Sequence, residues 1–146
     1  DKKIFITQFL KSGKSGELVS LDKLKENIKF LPGKPVNKFV WNMNDEEKLE
    51  AKKEHTIRFR EIIETIKKEQ YDLLILDELI GTINNGFIEL NEVIEFLKSK
   101  PQTLEVVMTG RNPDEKLIEL SNYVTEMKCI KHPFEEGIPS RIGIEL

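Results

Sequence analysis

One cysteine, two histidines and one tryptophan occur among 146 residues. The lone thiol, Cys129, excludes an internal disulfide, and two separate histidines, His55 and His132, do not make a cluster at zinc-ligand spacing. Cys129 lies in an apolar stretch and is expected to be a buried thiol. No apolar run approaches the ~20 residues that span a bilayer, and no charged-then-apolar opening resembles a secretory signal. A soluble cytoplasmic protein, with no membrane partner, is the expectation. An excess of positive charge is also lacking: 23 Lys and Arg face 26 Asp and Glu, for a net charge of −3. The electrostatic footprint of a nucleic-acid binder is therefore missing from the chain as a whole. A phosphate-cradling run of the form G-x-x-x-x-G-K-[ST] is missing too. Gly13-Lys14-Ser15 resembles its ending, but Gln8 stands where the first glycine belongs.

What is present fits one compact domain over residues 1–146, with 38% hydrophobic and 34% charged residues and too little length for two cores. No internal repeat or low-complexity segment interrupts it. The charge is uneven. Residues 1–40 hold nine lysines against four acids, while residues 41–146 hold fourteen Lys or Arg against twenty-two acids. A basic end of this kind suits an anionic ligand or an acidic partner protein, and equally a solvated surface. The chain opens on Asp1 and passes at once into Lys2-Lys3-Ile4-Phe5-Ile6-Thr7-Gln8-Phe9, strand-like with no preceding turn or cap. A fragment of a longer chain is expected.

Apolar runs of strand length alternate with segments of helical period, the pattern of an α/β fold with a mostly parallel sheet and crossover helices. Strands are predicted at Ile4–Phe9, Ile28–Leu31, Tyr71–Leu76, Leu104–Thr109 and Val124–Ile130. Tyr71–Leu76 and Leu104–Met108 are nearly continuous in apolar residues, as for central strands covered on both faces. Asn44, with Glu47 three residues on, predicts an N-cap. The helix it starts carries Phe59, Ile62, Ile63 and Ile66 on one face and ends near Gln70. Glu54 with Arg58 and Glu64 with Lys68 stand in the acid-first i,i+4 order on its solvated side. Leu90, Val93, Ile94 and Leu97 mark a second helix, stopped by Pro101. A third is predicted from Asn112, with Pro113 in the first helical position and Glu115 at N3.

The sharpest chemical feature is Leu73-Leu74-Ile75-Leu76-Asp77-Glu78, an apolar strand that delivers two consecutive carboxylates at its C-terminal end, in the form of a Walker B segment. Ligands collect beyond the carboxyl ends of strands in open parallel sheets, and an acid fixed there can hold Mg²⁺ against phosphate oxygens. A buried strand that simply stops at a polar residue looks the same. A second strand ends in Val106-Val107-Met108-Thr109-Gly110-Arg111, where glycine permits a close turn and a guanidinium suits a phosphate. A solvated arginine in a βα loop is the alternative. Phe39-Val40-Trp41 precedes the long helix; on an extended stretch Phe39 and Trp41 share one face and are equally compatible with core.

Taken in order, Tyr71-Asp72-Leu73-Leu74-Ile75-Leu76-Asp77-Glu78-Leu79, Leu90-Asn91-Glu92-Val93-Ile94, Thr109-Gly110-Arg111, Val124-Thr125-Glu126-Met127 and Lys131-His132-Pro133-Phe134-Glu135-Glu136-Gly137 resemble the ATP:corrinoid adenosyltransferases of the P-loop type. The resemblance extends upstream to Gln8-Phe9-Leu10-Lys11 and Gly16-Glu17, and downstream to Gly143-Ile144. It implies a P-loop NTPase, RecA-like architecture. In that family a strand and a glycine-rich, lysine-bearing loop come just before the segment that starts here at Asp1. Without them the 146 residues are expected to bind MgATP weakly. The resemblance also implies transfer of the 5′-deoxyadenosyl group of ATP to Co(I) of a corrinoid, cobalamin or cobinamide, with triphosphate leaving, in adenosylcobalamin synthesis or salvage.

Under that resemblance Asp77 and Glu78 hold Mg²⁺, Arg111 binds the triphosphate, and Phe39 and Trp41 pack against the corrinoid and exclude its lower axial ligand. Removing that ligand raises the cobalt potential toward biological reductants, the lever that also tunes haem. A reduced flavin or flavoprotein is the implied electron donor, and a homodimer is compatible with the reading. The alternatives are another P-loop ATPase, in which the second acid aligns water, and a non-catalytic relative that binds nucleotide or corrinoid.

Overall fold

The computed structural model describes residues 2–10, 17–33, 38 and 40–141. Four parallel strands, β1 (Ile4–Gln8), β2 (Ile28–Leu31), β3 (Leu73–Asp77) and β4 (Glu105–Met108), form one sheet in the order β2-β1-β3-β4. Helices α1 (Glu17–Asp22), α2 (Asp45–Lys68), α3 (Leu79–Asn84), α4 (Leu90–Ser99) and α5 (Glu115–Leu120) connect or follow the strands. The α/β class and the parallel sheet are as expected. β2 has the predicted ends, while β1, β3 and β4 each shift by a residue or two from theirs, because pairing and not apolarity defines the ladder. Ile4 pairs with Leu73 and Gln8 with Asp77, so β1 and β3 end together.

Helix α2 starts where predicted. The Asn44 side chain accepts from the Glu47 backbone N–H at 2.9 Å and the Glu47 carboxylate accepts from the Asn44 N–H at 2.9 Å, closing a capping box. Asp45, Glu46 and Glu47 in the first turn and Lys67 and Lys68 in the last complement the helix dipole. Phe59, Ile62 and Ile66 are buried on its inner face, and the Phe59 ring meets Phe96 of α4 edge-on at 5.8 Å between centroids. On the outer side the predicted acid–base pairs attract one another, Glu54 with Arg58 and Glu64 with Lys68, and closer contacts stand beside them. Glu64 pairs with Lys67 at 2.8 Å, while the Arg58 guanidinium donates to the Pro32 carbonyl.

Several expectations are corrected. Val124–Ile130 is not a strand: Tyr123, Met127 and Ile130 are exposed, and the segment adds no ladder to the sheet. Apolar composition alone does not make a strand, which also needs a neighbouring edge for its backbone groups. The predicted double coverage of Leu104–Met108 fails as well: Glu105 and Val107, which share one face of β4, are exposed, Val107 at 44%, so that face meets solvent. Helix α5 begins at Glu115, with Asp114 as N-cap accepting from the Lys116 N–H, two residues beyond the predicted start at Pro113. Cys129 is exposed. Helices α1 and α3, each six residues long, were too short to show a period.

One polar group is left in the core without a described partner. His55 on α2 is 8% exposed, sits between Phe9 and Phe87 with ring centroids at 5.8 and 5.7 Å, and its Nδ1 has no hydrogen bond. Burial, aided by the nearby Arg58 charge and opposed by Glu54, lowers its pKa from 6.5 to about 4. The unfolded chain therefore binds a proton on this residue between these values and the folded chain does not, so stability falls as pH drops from 6.5 toward 4 and then levels. At 1.36 kcal/mol per pKa unit the effect is at most about 3 kcal/mol. Urea melts of wild type and His55→Phe across pH 7 to 4 should show the difference between the two curves opening below pH 6.5; parallel curves would place the ring in a wetter environment.

Candidate functional site at the carboxyl edge of the sheet

The ends of β1, β3 and β4 meet at one edge of the sheet, and the meeting is made by side chains. The Asp77 carboxylate accepts on both oxygens, from Gln8 Nε2 at 3.3 Å and from the Thr109 hydroxyl at 2.7 Å. The same Thr109 oxygen accepts the Glu78 backbone N–H at 2.9 Å. Backbone bonds continue the join, with the Phe9 N–H donating to Asp77 O at 2.9 Å and Thr109 N–H to Leu76 O at 3.2 Å. Gln8 is only 4% exposed, so its amide is committed to this edge. Sequence reasoning placed Asp77, Glu78 and Thr109 here but assigned Gln8 no role. Its signal was its position, one residue before the end of the predicted first strand.

Glu78 turns the chain. Its φ of 61° and ψ of 21° are left-handed, a conformation that costs a non-glycine residue about 1 kcal/mol or more. The bond from its N–H to Thr109 offsets part of that cost. The turn lets α3 start directly after the acids, and the Glu78 carboxylate lies beside its first turn: a methyl group added at Gly81 would stand 3.5 Å from Glu78 Oε2.

The arginine arrives from the other strand on a turn docked against the same helix. Ile80 N–H donates to Thr109 O at 3.2 Å. Gly110, with φ of 140°, passes so close that a Cβ there would fall 2.5 Å from that of Ile80. Only glycine meets both conditions. Arg111 itself is exposed, and its carbonyl accepts from Asn84 Nδ2 at 2.8 Å. Asp77, Glu78, Thr109 and the Arg111 backbone thus form one connected structure.

Trp41 stands apart in sequence but not in side. It sits in a 3₁₀ turn, Val40–Asn42, on the connection that leaves the carboxyl end of β2, the edge from which Asp77 also leaves in a parallel sheet. The ring is 76% exposed, which removes the core alternative for this residue. Phe39 lies outside the described residues, as do Lys11, Gly13, Lys14, Ser15, Gly16, Gly143 and Ile144. Among the described residues no group of three His, Cys, Asp or Glu gathers to hold a metal ion, and no helix is long and apolar enough to cross a membrane.

A family model for the ATP:corrinoid adenosyltransferases BtuR/CobO/CobP matches residues 1–146. The chain belongs to this family. It is 39% identical over 108 residues to a corrinoid adenosyltransferase of a Sinorhizobium species, covering 73% of this chain and 50% of that one. It is 30% identical over 145 residues to the corrinoid adenosyltransferase of Pseudomonas aeruginosa, covering 98% and 69%. It is 27% identical over 149 residues to that of Escherichia coli K12, covering 99% and 71%. The chain thus spans between half and about seven tenths of these relatives' lengths. Within this family member the acids, Thr109 and Arg111 are the residues that the fold itself draws together.

The hydroxyl of Thr109 is the joint in that assembly. Thr109→Val keeps its shape but takes away the donor to Asp77 and the acceptor for Glu78, and should lower stability by about 1–3 kcal/mol. Thr109→Ser should recover most of the loss. Urea midpoints of the two variants decide the point, and a Val variant as stable as wild type would show that the bridge is not an anchor.

Proposed function

We propose that this chain belongs to an enzyme that transfers the 5′-deoxyadenosyl group of ATP to Co(I) of a corrinoid and releases triphosphate, in the cytoplasm, and that it supplies part of the triphosphate site. The observation that carries the reading is the joined edge at which Asp77, Glu78 and the Arg111 turn meet, in a chain of the adenosyltransferase family. The electron pair of Co(I) attacks C5′, the Co–C bond forms, the C5′–O bond breaks, and its electrons leave with the triphosphate. No proton has to move. The protein's task is to hold the triphosphate and to stabilise charge as it grows there, which suits a guanidinium and hard oxygen donors better than a His–acid pair.

The residues present fit Mg²⁺. That ion is bound through one or two carboxylates, with waters and substrate phosphates completing the shell, so a cage of three protein ligands is not required. When bound it would neutralise charge on the triphosphate. Asp77 already accepts on both oxygens from Gln8 and Thr109, so Glu78 is the direct ligand in this proposal and Asp77 the residue that keeps the strand end in place. Glu78→Gln should weaken adenosyl transfer at limiting Mg²⁺ and recover partly as Mg²⁺ rises, with melting unchanged. An unaltered Mg²⁺ dependence would return Glu78 to a structural role.

Phe39 and Trp41 are proposed as the apolar floor beneath the corrinoid. A large ring held 76% exposed at this edge supports that use, because nothing in folding rewards leaving it in water. The lysine-rich start of the chain suits docking of an acidic flavoprotein as reductant. In the full-length protein with saturating MgATP, Trp41→Ala should stay folded yet lose the four-coordinate Co(II) signal in electron paramagnetic resonance. Its rate with a flavin reductant should fall much further than its rate with corrinoid chemically reduced to Co(I). A normal four-coordinate signal in the folded variant would remove Trp41 from the mechanism.

A further inference from the structure

We propose that Asn84 is a positioning residue for Arg111. Asn84 closes α3, and its side-chain amide does not serve its own helix. Its Nδ2 donates to Arg111 O at 2.8 Å and to Asn112 O at 3.1 Å, one hydrogen for each of two consecutive carbonyls 27 and 28 residues away. The next residue shows the contrast, since Asn85 Nδ2 turns back to Gly81 O at 2.7 Å within α3.

The segment it holds has reason to need holding. Gly110 has a φ of 140° and Asn112 a φ of 53°, so the turn around Arg111 departs from ordinary backbone on both sides. Thr109 is fixed at the start of the turn by Asp77 and Glu78, and Gly110 is fixed by its contact with Ile80. Asn84 supplies the tie at the far end. With both ends attached to α3, the point at which the Arg111 side chain leaves the backbone is set relative to Glu78, which begins the same helix. A flexible guanidinium contributes to binding a polyphosphate in proportion to how well its base is placed in advance. Asn84 and Arg111 are both exposed, so substitution leaves the core alone.

The inference rests on the reading of Arg111 as a triphosphate ligand, and the test separates the two. ATP affinity is measured by calorimetry on the full-length protein, with adenosyl transfer from chemically reduced corrinoid alongside, for Arg111→Ala, Asn84→Ala, Asn84→Asp and the double Ala variant. Loss of one charged hydrogen-bonding group should cost Arg111→Ala about 10- to 100-fold in affinity. Asn84→Ala should lose about 3- to 10-fold, because the guanidinium remains but its base is loosened. Asn84→Asp should lose more, since it sets carboxylate oxygens against two carbonyls. The double variant should match Arg111→Ala alone, since positioning has no effect once the positioned group is gone. Wild-type affinity in Asn84→Ala beside a weakened Arg111→Ala overturns this inference alone. Additive losses in the double variant also overturn it, as they are the mark of general loosening. Unchanged affinity in Arg111→Ala overturns the role of Arg111 and this inference with it.

Discussion

The candidate site depends on one hydroxyl. Thr109 donates to the Asp77 carboxylate and accepts from the Glu78 N–H, so a single oxygen ties the end of β4 to the end of β3. A threonine can do both at once because its hydroxyl is one donor with two acceptor positions. Gln8 completes the arrangement from β1 by satisfying the second Asp77 oxygen. Three parallel strands are thereby locked at the edge where their C-terminal ends converge. In a partly buried place a carboxylate with both oxygens engaged holds its position, and the strand end holds with it.

From that joint the chain can afford a strained turn. Glu78 in the left-handed region would be a poor local choice, yet it is what allows α3 to start immediately and to lie beneath the Thr109–Asn112 turn. Gly110 permits the close approach and Asn84 fastens the far end. Helix α3 is only six residues long, with no isolated stability to speak of, so the contacts that hold it are tertiary. It acts as a short brace between the acids and the arginine.

Elsewhere the fold shows where such freedom ends. His55 keeps an imidazole between two phenyl rings with Nδ1 unsatisfied among the described residues, and burial holds it neutral at ordinary pH. The segment from Tyr123 to Ile130 is apolar and exposed where a fifth strand was expected, and β4 offers an edge residue, Val107, that is almost half exposed. These features share one cause: apolar composition is a local property, whereas coverage is supplied by the neighbours a segment meets in three dimensions.

What the sequence by itself determined is what local physics can carry. The capping box at Asn44, the helical spacing of Phe59, Ile62 and Ile66, the apolar run into Asp77 and Glu78, and the glycine before Arg111 are all written within a few residues of where they act. The fold class follows from the alternation of those segments. The tertiary structure decided the rest. It made Gln8 and Thr109 the partners of Asp77, made Asn84 the anchor of Arg111, and left Trp41 and Cys129 on the surface and Val124–Ile130 out of the sheet. Each of these is a relation between groups 27 or more residues apart, or a question of coverage, and no period or motif along the chain records which distant groups the strand register will bring within hydrogen-bond reach of one another.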